Sequence, residues 1–315
     1  MNACTRAIVR RAIAEGHEVV GILRGYQGLL DQTFFIDADG QPRMSLRSVS
    51  GWLRHGGAFL YSSRSAEFRT EAGQRKAAAM LRQHGIDALV PIGGDGTFQG
   101  CVALAKYWDG QIVGCPGTID NDLLGTDYTI GFSTAVATAV DACDKIRDTA
   151  ESHERMFLVE VMGRHCGYIA VHVALAGGAE VICVPETPTD LDAIVQQLSD
   201  LKARKKTSIM VIVAEGDERG GAITLHDELK KRDCPYSSRV IVLGHLLRGG
   251  SPTPEDRLLA SQLGDFAVQS ILAGQTGVMA GLIGTTCTLT PFEETYAQHK
   301  PIPRELFALM ETLAR

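Results

Sequence analysis

The chain has 315 residues, 45% of them hydrophobic, which is long enough for one large α/β domain or two smaller ones. Its 37 acidic and 31 basic residues give a formal net charge of −6, and no basic segment suits a nucleic-acid backbone. No apolar stretch approaches the ~20 residues of a membrane helix, and no signal peptide is recognisable. We therefore expect a cytoplasmic protein with no nucleic-acid or membrane partner. The eight cysteines form no Cys-x-x-Cys pair, which favours reduced thiols over a zinc ribbon.

Short β-branched segments alternate with longer helical patterns, which is typical of parallel βαβ units. The chain opens on a helical pattern with Ala7, Ile8 and Ala12 apolar. Strands are predicted at residues 17–22, 88–92, 111–114, 156–161, 181–184, 208–214, 240–243 and 278–282. Helices fall between them, and the helix at residues 70–84 is followed by Gly85 as a C-cap. The glycine clusters follow strands, where the loops of an open parallel sheet reach a ligand.

The first glycine-rich motif, residues 93–97 (Gly-Gly-Asp-Gly-Thr), follows a predicted strand, and a helical pattern resumes at Gln99. Glycines between a strand and a helix let the backbone approach phosphate oxygens, and the helix N-terminus supplies N–H groups and a partial positive charge. Asp95 then suits a Mg²⁺ ion that bridges phosphates. A tight turn with a solvated aspartate is the alternative. Similar motifs also occur in diacylglycerol, sphingosine and NAD kinases.

The second motif, residues 116–122 (Pro-Gly-Thr-Ile-Asp-Asn-Asp), follows the predicted strand at residues 111–114. Its carboxylates, Asp120 and Asp122, flank Asn121 on one short loop. One carboxylate can accept a hydroxyl proton during nucleophilic attack, while the other orients it or holds a metal ion. Alternatively, the pair only caps the following turn.

Further motifs extend the pattern over most of the chain. They are residues 57–60 (Gly-Ala-Phe-Leu), Arg64 with 67–69 (Glu-Phe-Arg), 124–132 (Leu-Gly-Thr-Asp-Tyr-Thr-Ile-Gly-Phe), 159–164 (Val-Glu-Val-Met-Gly-Arg), 214–216 (Ala-Glu-Gly) and 243–252 (Leu-Gly-His-Leu-Leu-Arg-Gly-Gly-Ser-Pro). In this order they resemble the 6-phosphofructokinase family, namely its bacterial ATP-dependent type, related to a mixed ATP and pyrophosphate branch. The resemblance implies the phosphofructokinase fold, with two Rossmann-like, three-layer α/β lobes, mainly parallel sheets and the site between the lobes. It also implies phosphoryl transfer from ATP to the 1-hydroxyl of fructose 6-phosphate in glycolysis.

The resemblance also implies a role for each matched residue. Asp120 is expected to be the general base, with Asp122, Arg64 and Arg164 as further catalytic residues. ATP is expected to contact Arg64, Ser65, Gly94, Asp95, Gly96 and Thr97, with Asp95 at the Mg²⁺ ion. The sugar phosphate is expected to contact Thr118, Ile119, Asp120, Met162, Gly163, Arg164, Glu215, His245 and Arg248. Arg155 and Arg239 match arginines that reach the 6-phosphate from a neighbouring subunit, so a homodimer or homotetramer with shared sites is expected.

Two positions bear on the phosphoryl donor. Pyrophosphate-dependent members of the family commonly have Asp in place of Gly96 and Lys in place of Gly117. The Asp would repel the α-phosphate of ATP, while the Lys would neutralise the smaller donor. Both positions are glycine in this chain. ATP is therefore the expected donor, and a pyrophosphate-dependent phosphofructokinase is the alternative.

The chain departs from the family pattern at its start. A strand and a Gly-Gly-Asp-x-Pro-Gly loop normally precede the segment that matches residues 1–3, and such a loop approaches the phosphates. We therefore expect the true start to lie upstream of Met1. The alternative is a truncated, catalytically silent protein that binds a sugar phosphate or has a regulatory role.

Effector sites and lobe boundaries complete the expectations from the resemblance. Arg6, Arg10 and Glu180 coincide with positions that bind an allosteric nucleotide or phosphoenolpyruvate in many bacterial members. The nucleotide lobe is expected to comprise residues 1–131 plus 247–296, and the sugar-phosphate lobe residues 132–246 plus 297–315.

Overall fold

A computed structural model describes residues 1–314 of the chain, which divide into two compact units. The first unit comprises Met1–Thr118, Leu123–Gly131 and Gly250–His299. The second comprises Ile119–Asp122, Phe132–Gly249 and the described residues from Lys300 onward. The lobe boundaries expected from the sequence stay a prediction. They differ from these units chiefly in assigning residues 119–122 to the first lobe.

Helices and strands alternate through both units, and each unit contains its own sheet. The helices are α1 (Asn2–Ala14), α2 (Gly25–Leu30), α3 (Glu71–Gln83), α4 (Asp95–Ala105), α5 (Phe132–Ser152), α6 (Tyr168–Gly177), α7 (Leu191–Ala203), α8 (Gly221–Lys231), α9 (Pro254–Leu272), α10 (Phe292–Thr295) and α11 (Arg304–Leu313). The strands are β1 (Ala88–Leu89), β2 (Ile92–Gly93), β3 (Gln111–Pro116), β4 (Met156–Val161), β5 (Val181–Cys183), β6 (Ile209–Ala214), β7 (Ser238–Val242), β8 (Val278–Ile283) and β9 (Thr286–Pro291). Within residues 1–314, no helix has the length and apolar character needed to cross a membrane.

The sheet of the first unit is parallel except at one edge. Its order is β1-β3-β8-β9, β2 also pairs with β3, and only the β8–β9 pair is antiparallel. Successive side chains of a strand point to opposite faces. Accordingly Ile112 packs with the residues of α3 and α4, whereas Val113 and Cys115 pack with those of α1 and α9. The first unit is therefore a three-layer α/β structure.

The sheet of the second unit is wholly parallel, in the order β5-β6-β4-β7. All six residues of β6 are buried, which is typical of a central parallel strand covered on both faces. Met210 and Ile212 pack with α5, α6 and α11, while Val211 and Val213 pack with α7 and α8. The second unit is again three-layered. Together the two units confirm the predicted α/β class with mainly parallel sheets.

Beyond shifts of one or two residues at the ends of elements, four local features of the structure differ from the prediction. The strand predicted at residues 17–22 is wrong, because this segment finds no strand partner and Ile22 makes only a single antiparallel bridge with Phe34. The strand predicted at residues 88–92 is interrupted at Pro91, which has no N–H to donate to a neighbouring strand. Strand β9 was not predicted. Helix α4 begins at Asp95 rather than at Gln99.

Candidate active site

The glycine turn of the first unit joins β2 directly to α4. The carbonyl of Gly94 accepts hydrogen bonds from the N–H groups of Thr97 (2.9 Å) and Phe98 (3.1 Å). A Cβ atom on Gly93 would lie 2.1 Å from Oγ1 of Thr97, so only glycine permits this approach. No side chain caps α4, and the N-terminus of a helix carries a partial positive charge that suits an anionic ligand. Phosphate binding by this turn stays a prediction.

Asp95 is the first residue of α4 and is half-buried. A carboxylate at a helix N-terminus is stabilised by the helix dipole. Within residues 1–314, no group of three or more His, Cys, Asp or Glu side chains is arranged to hold a metal ion. A divalent cation beside Asp95 would therefore take most of its ligands from phosphate oxygens and water, as Mg²⁺ commonly does.

The other predicted nucleotide residues of this unit lie in a loop that precedes α3. Arg64 is exposed, and the hydroxyl of Ser63 donates to its carbonyl at 3.2 Å. Ser65 accepts a hydrogen bond from the N–H of Phe68 at 3.1 Å. The Ser65 hydroxyl therefore stabilises the local turn, and a nucleotide contact by Ser65 stays a prediction.

Gly96 and Gly117, the two positions that bear on the choice of phosphoryl donor, have different surroundings. No atom lies within 4 Å of a Cβ built on Gly96. A Cβ on Gly117 would meet Cγ2 of Ile92 at 2.9 Å and the N atom of Gly93 at 3.1 Å. A side chain could therefore be added at Gly96 without disturbing the fold, whereas Gly117 is required by close packing.

The acidic pair of the second unit lies on the segment Ile119–Asp122. Asp120 is only 5% exposed, and Asn121 is fully buried with φ = 54°. A positive φ is uncommon for a residue other than glycine, and asparagine tolerates it better than most. Asn121 thus suits the sharp turn that separates the two carboxylates.

Burial, followed by the charge of the neighbouring Asp122 carboxylate, raises the pKa of Asp120 to about 6. The guanidinium groups of Arg248 and Arg164 act against this shift, because they favour the ionised form. Glu215 makes a smaller contribution that again favours the neutral form. A carboxyl group with this pKa is suited to general-base chemistry near neutral pH.

The residues around Asp120 come from loops at the carboxyl ends of the parallel strands. Arg164 follows β4, Glu215 follows β6, and Arg248 ends a short 3₁₀ helix, Gly244–Arg248, after β7. The Oε1 atom of Glu215 accepts hydrogen bonds from the N–H groups of Arg164 (2.8 Å) and Gly163 (3.3 Å). These bonds hold Arg164 in a left-handed conformation, with φ = 54°. Glu215 therefore fixes the turn that carries the Arg164 guanidinium group.

Comparison with known proteins gives the family. The family model described as Phosphofructokinase matches residues 1–271. The chain belongs to the phosphofructokinase family. It is 50% identical over 314 residues to ATP-dependent 6-phosphofructokinase 1 of Thermus thermophilus, covering 100% of this chain and 95% of that relative. It is 46% identical over 313 residues to the ATP-dependent 6-phosphofructokinase of Cytophaga hutchinsonii, covering 99% of this chain and 93% of that relative.

A solved phosphofructokinase has the same fold. The crystal structure of Pichia pastoris phosphofructokinase superposes with a TM-score of 0.85 and 31% sequence identity. The match covers 100% of this chain but only 37% of the Pichia chain. The phosphofructokinase fold inferred from the sequence motifs is thereby confirmed.

Two arginines predicted for the phosphofructokinase sugar site lie apart from the Asp120 group within the second unit. Arg155 immediately precedes β4, whereas Arg164 follows it, and the six residues of β4 span about 20 Å. Arg239 lies beside Phe157 near the same amino end of the sheet. Within one chain these arginines are therefore distant from Asp120. Their contact with the 6-phosphate in a neighbouring subunit stays a prediction.

The remaining predicted sugar-site residues have mixed exposure. The carbonyl of Thr118 accepts a hydrogen bond from Oγ1 of Thr129 at 2.7 Å, within the first unit. Ile119 and Met162 belong to the core of the second unit, so they help to hold the fold. His245 is exposed on the same 3₁₀ helix as Arg248.

The predicted effector residues lie in different units. Arg6 and Arg10 are on α1 of the first unit, where Arg10 is exposed. Glu180, of the second unit, is 3% exposed and accepts a hydrogen bond from the N–H of Met210 at 2.7 Å. It also forms a 2.5 Å ion pair with Lys206. Glu180 thus contributes to the second unit's own packing, and its effector role stays a prediction.

Tyr26 supports the glycine turn and was missed from the sequence. Its hydroxyl donates to the carbonyl of Thr97 at 2.7 Å, and its ring stacks on Phe68 with centroids 3.9 Å apart. A Cβ on Gly100 would lie 2.5 Å from the Tyr26 ring. A single aromatic residue carries no sequence signal for such a contact, because the contact joins residues about 70 positions apart.

Proposed function

We propose that this chain transfers the terminal phosphoryl group of ATP to the 1-hydroxyl of fructose 6-phosphate, giving fructose 1,6-bisphosphate and ADP. The observation that carries the proposal is the buried Asp120, which lies among Asp122, Arg164 and Arg248 and whose pKa is raised to about 6. The names of the bacterial relatives, ATP-dependent 6-phosphofructokinases, support both the donor and the acceptor. The reaction is a step of glycolysis, and the cytoplasm is its proposed location.

In the proposed mechanism, Asp120 takes the proton of the 1-hydroxyl as its oxygen attacks the γ-phosphorus of ATP. The Asp120 carboxylate is mostly ionised at pH 7, yet it is more basic than an exposed aspartate because its pKa is about 6. Asp122 increases this basicity through charge repulsion. The proton therefore moves to Asp120, while the leaving group is ADP.

The arginines of the second unit have a different proposed role. The guanidinium groups of Arg164 and Arg248 bind the anionic sugar phosphate and stabilise negative charge on the transferring group. Glu215 orients Arg164 by accepting a hydrogen bond from its backbone N–H. Preorganised donors of this kind need little rearrangement during the reaction.

The first unit is proposed to hold the nucleotide. The N–H groups at the start of α4 bind phosphate oxygens, and Arg64 adds a positive charge. Asp95 is the residue that would hold Mg²⁺, which, when bound with ATP, neutralises charge on the phosphate oxygens. The half-buried carboxylate at the helix start fits a cation whose other ligands are phosphate and water oxygens.

Self-association is part of the proposal. Arg155 and Arg239 lie at the amino ends of β4 and β7, away from Arg164 and Asp120. We propose that they bind the 6-phosphate in the site of a neighbouring copy, in a homodimer or homotetramer. Guanidinium groups suit this contact because they donate paired, charge-assisted hydrogen bonds to phosphate.

The proposed function is tested by following fructose 1,6-bisphosphate formation through a coupled aldolase assay. Purified protein receives fructose 6-phosphate and Mg²⁺ with either ATP or pyrophosphate. Product is expected with ATP, and the rate with pyrophosphate should be at background. Product with pyrophosphate alone would overturn the donor assignment, and product with neither donor would overturn the proposed function.

The pH dependence of kcat/KM should report the Asp120 carboxyl. Because the base must be ionised and its pKa is about 6, activity should be constant above that pH and fall about tenfold per unit below it. A profile of kcat/KM measured between pH 5 and 8, with both substrates varied, gives the pH at which activity begins to fall. A kcat/KM that stays constant down to pH 5, as the ordinary aspartate pKa of 3.8 would give, would contradict the raised pKa.

Substitution at Gly96 should act selectively on ATP. The variant Gly96→Asp places a carboxylate in open space at the start of α4, where it repels nucleotide phosphates. We expect a rise in the KM for ATP of about 10- to 100-fold, with the KM for fructose 6-phosphate within about twofold of wild type. Gly96→Asn controls for bulk and Gly96→Ala for loss of glycine. An equal effect of Gly96→Asn would assign the loss to bulk rather than charge.

A further inference from the structure

The loop that follows β6 packs closely against the Arg164 turn of the second unit. The N–H of Glu215 donates to the carbonyl of Val161 at 2.9 Å, at the end of the β4–β6 pairing where Val161 lies opposite Ala214. A Cβ on Gly216 would lie only 1.8 Å from the carbonyl oxygen of Arg164. The two loops are therefore in direct backbone contact. A displacement of residues 215–216 must also displace the turn at Gly163 and Arg164.

The conformation of this loop depends on a buried carboxylate that has no place in the mechanism above. Asp217 is 4% exposed, and its N–H donates to the carbonyl of Ala214 at 3.0 Å. One carboxylate oxygen of Asp217 accepts a 3.0 Å hydrogen bond from the N–H of Arg219. The other accepts a 2.7 Å hydrogen bond from the hydroxyl of Thr189, which is 6% exposed.

Thr189 lies between β5 and α7, so it joins a second segment to the loop. Its N–H donates to a carboxylate oxygen of Glu218 at 2.6 Å. Its carbonyl accepts hydrogen bonds from the guanidinium group of Arg219 at 3.2 and 3.3 Å. All three polar groups of Thr189 thus bind residues 217–219. This set of hydrogen bonds links residues 217–219 to the segment between β5 and α7.

We propose that Thr189 and Asp217 are positioning residues for the sugar-phosphate site, because their hydrogen bond holds the loop that places Glu215 against the Arg164 turn. The inference rests on the proposed function and deepens it. Neither residue touches the reacting atoms. They act through Glu215, whose carboxylate binds the backbone N–H groups of Gly163 and Arg164.

Loss of the Thr189 hydroxyl should change the position of the Arg164 turn. Valine has nearly the shape of threonine, but it leaves one buried oxygen of Asp217 without its donor. A buried polar group that has lost its hydrogen-bond partner destabilises the folded protein. Movement of the loop would let water hydrogen-bond to the Asp217 carboxylate. Such movement would carry Glu215 away from Gly163 and Arg164, and it would loosen the site that binds the sugar phosphate.

The test compares three variants by steady-state kinetics. Thr189→Val removes the hydroxyl, and Thr189→Ser restores it. Thr187→Val makes the same change two residues away at an exposed position. We expect Thr189→Val to raise the KM for fructose 6-phosphate about tenfold, with the KM for ATP within about twofold of wild type. Thr189→Ser and Thr187→Val should both remain within about twofold of wild type for both substrates.

A purely structural role gives a different pattern. If Thr189→Val lowers Tm but leaves the KM for fructose 6-phosphate unchanged, the positioning role is overturned. The same holds if both KM values rise equally, or if Thr189→Ser is as impaired as Thr189→Val. If the variant is too unstable for kinetics, calorimetric titration of Asp217→Asn with fructose 6-phosphate replaces it. Weakened sugar binding then supports the role, and wild-type affinity contradicts it.

The experiments distinguish a failure of the positioning role from a failure of the proposed function. Wild-type protein that forms fructose 1,6-bisphosphate while Thr189→Val behaves normally overturns only the positioning role. Wild-type protein that forms no product overturns the proposed reaction. Calorimetry with fructose 6-phosphate then decides the positioning role, because a wild-type Kd that rises in Thr189→Val supports it. A wild-type protein without affinity for fructose 6-phosphate overturns both.

Discussion

Turnover should fall by about 10²- to 10⁴-fold in Asp120→Asn, with little change in fructose 6-phosphate affinity. Asparagine preserves the size of the buried side chain but cannot take the hydroxyl proton as the attack develops. The remaining rate would come from substrate positioning and from the arginines. Steady-state kinetics gives kcat, and calorimetry gives the sugar affinity separately.

Asp144→Asn is the matched control, because Asp144 is exposed on α5 of the same unit and has no proposed part in the reaction. This variant should retain wild-type kcat. A kcat for Asp120→Asn within a few-fold of wild type would remove Asp120 from the role of base.

The same substitution should also stabilise the protein above pH 6. The folded-state pKa of Asp120 is raised from 3.8 to about 6, so the folded protein binds more protons than the unfolded chain between these values. Stability therefore falls as pH rises through this window, and the full cost of about 3 kcal/mol is present above it. Asp120→Asn removes that cost. Its free energy of unfolding should exceed that of wild type at pH 8 and match it at low pH.

The second large effect is expected at Arg164. Arg164→Gln should reduce kcat/KM for fructose 6-phosphate by about 10²- to 10³-fold, because in the proposed mechanism its guanidinium group stabilises the developing phosphate charge. The hydrogen bond from the Arg164 N–H to Glu215 is a backbone contact and remains in the variant. The loss would therefore report the guanidinium group rather than the turn.

Two further variants make the Arg164 result specific. Arg164→Lys keeps the positive charge but loses the planar fork, so it should recover only part of the activity. Arg204→Gln removes an exposed arginine elsewhere in the second unit and should have no effect. Full activity in Arg164→Gln would contradict the assignment. Full recovery in Arg164→Lys would show that charge alone is sufficient.

The central strands of the second unit, β4 and β6, could be predicted because they are buried on both faces. β4 begins and ends at the predicted residues, and β6 differs by one residue. Continuous β-branched segments between polar helices are a strong signal for such strands. The segment at residues 17–22 also contains the β-branched residues Val19, Val20 and Ile22, but it forms no strand, because strand formation also needs a neighbour in register. That information is not local.

The motifs of the site could be predicted from the sequence. The pKa of Asp120 and the hydrogen bonds that hold the surrounding loops could not. The glycine turn at residues 93–97 and the acidic pair follow from short contiguous sequences. The pKa of Asp120 is raised by burial and by Asp122 and is lowered by Arg248 and Arg164, and tertiary folding alone produces the burial and brings the arginines within reach. The hydrogen bond between Thr189 and Asp217 joins positions 28 residues apart. Threonine and aspartate are common in surface loops, so no local pattern marks this buried pair.

Phosphorus NMR of a single reaction mixture tests the central claim most directly. Wild-type protein is incubated with fructose 6-phosphate, ATP and Mg²⁺, and the phosphorus resonances are followed over time. We predict that one new sugar phosphate signal, assigned to the 1-phosphate, rises in equal amount with ADP while the 6-phosphate signal persists. ADP formation with inorganic phosphate and no 1-phosphate signal would contradict the account.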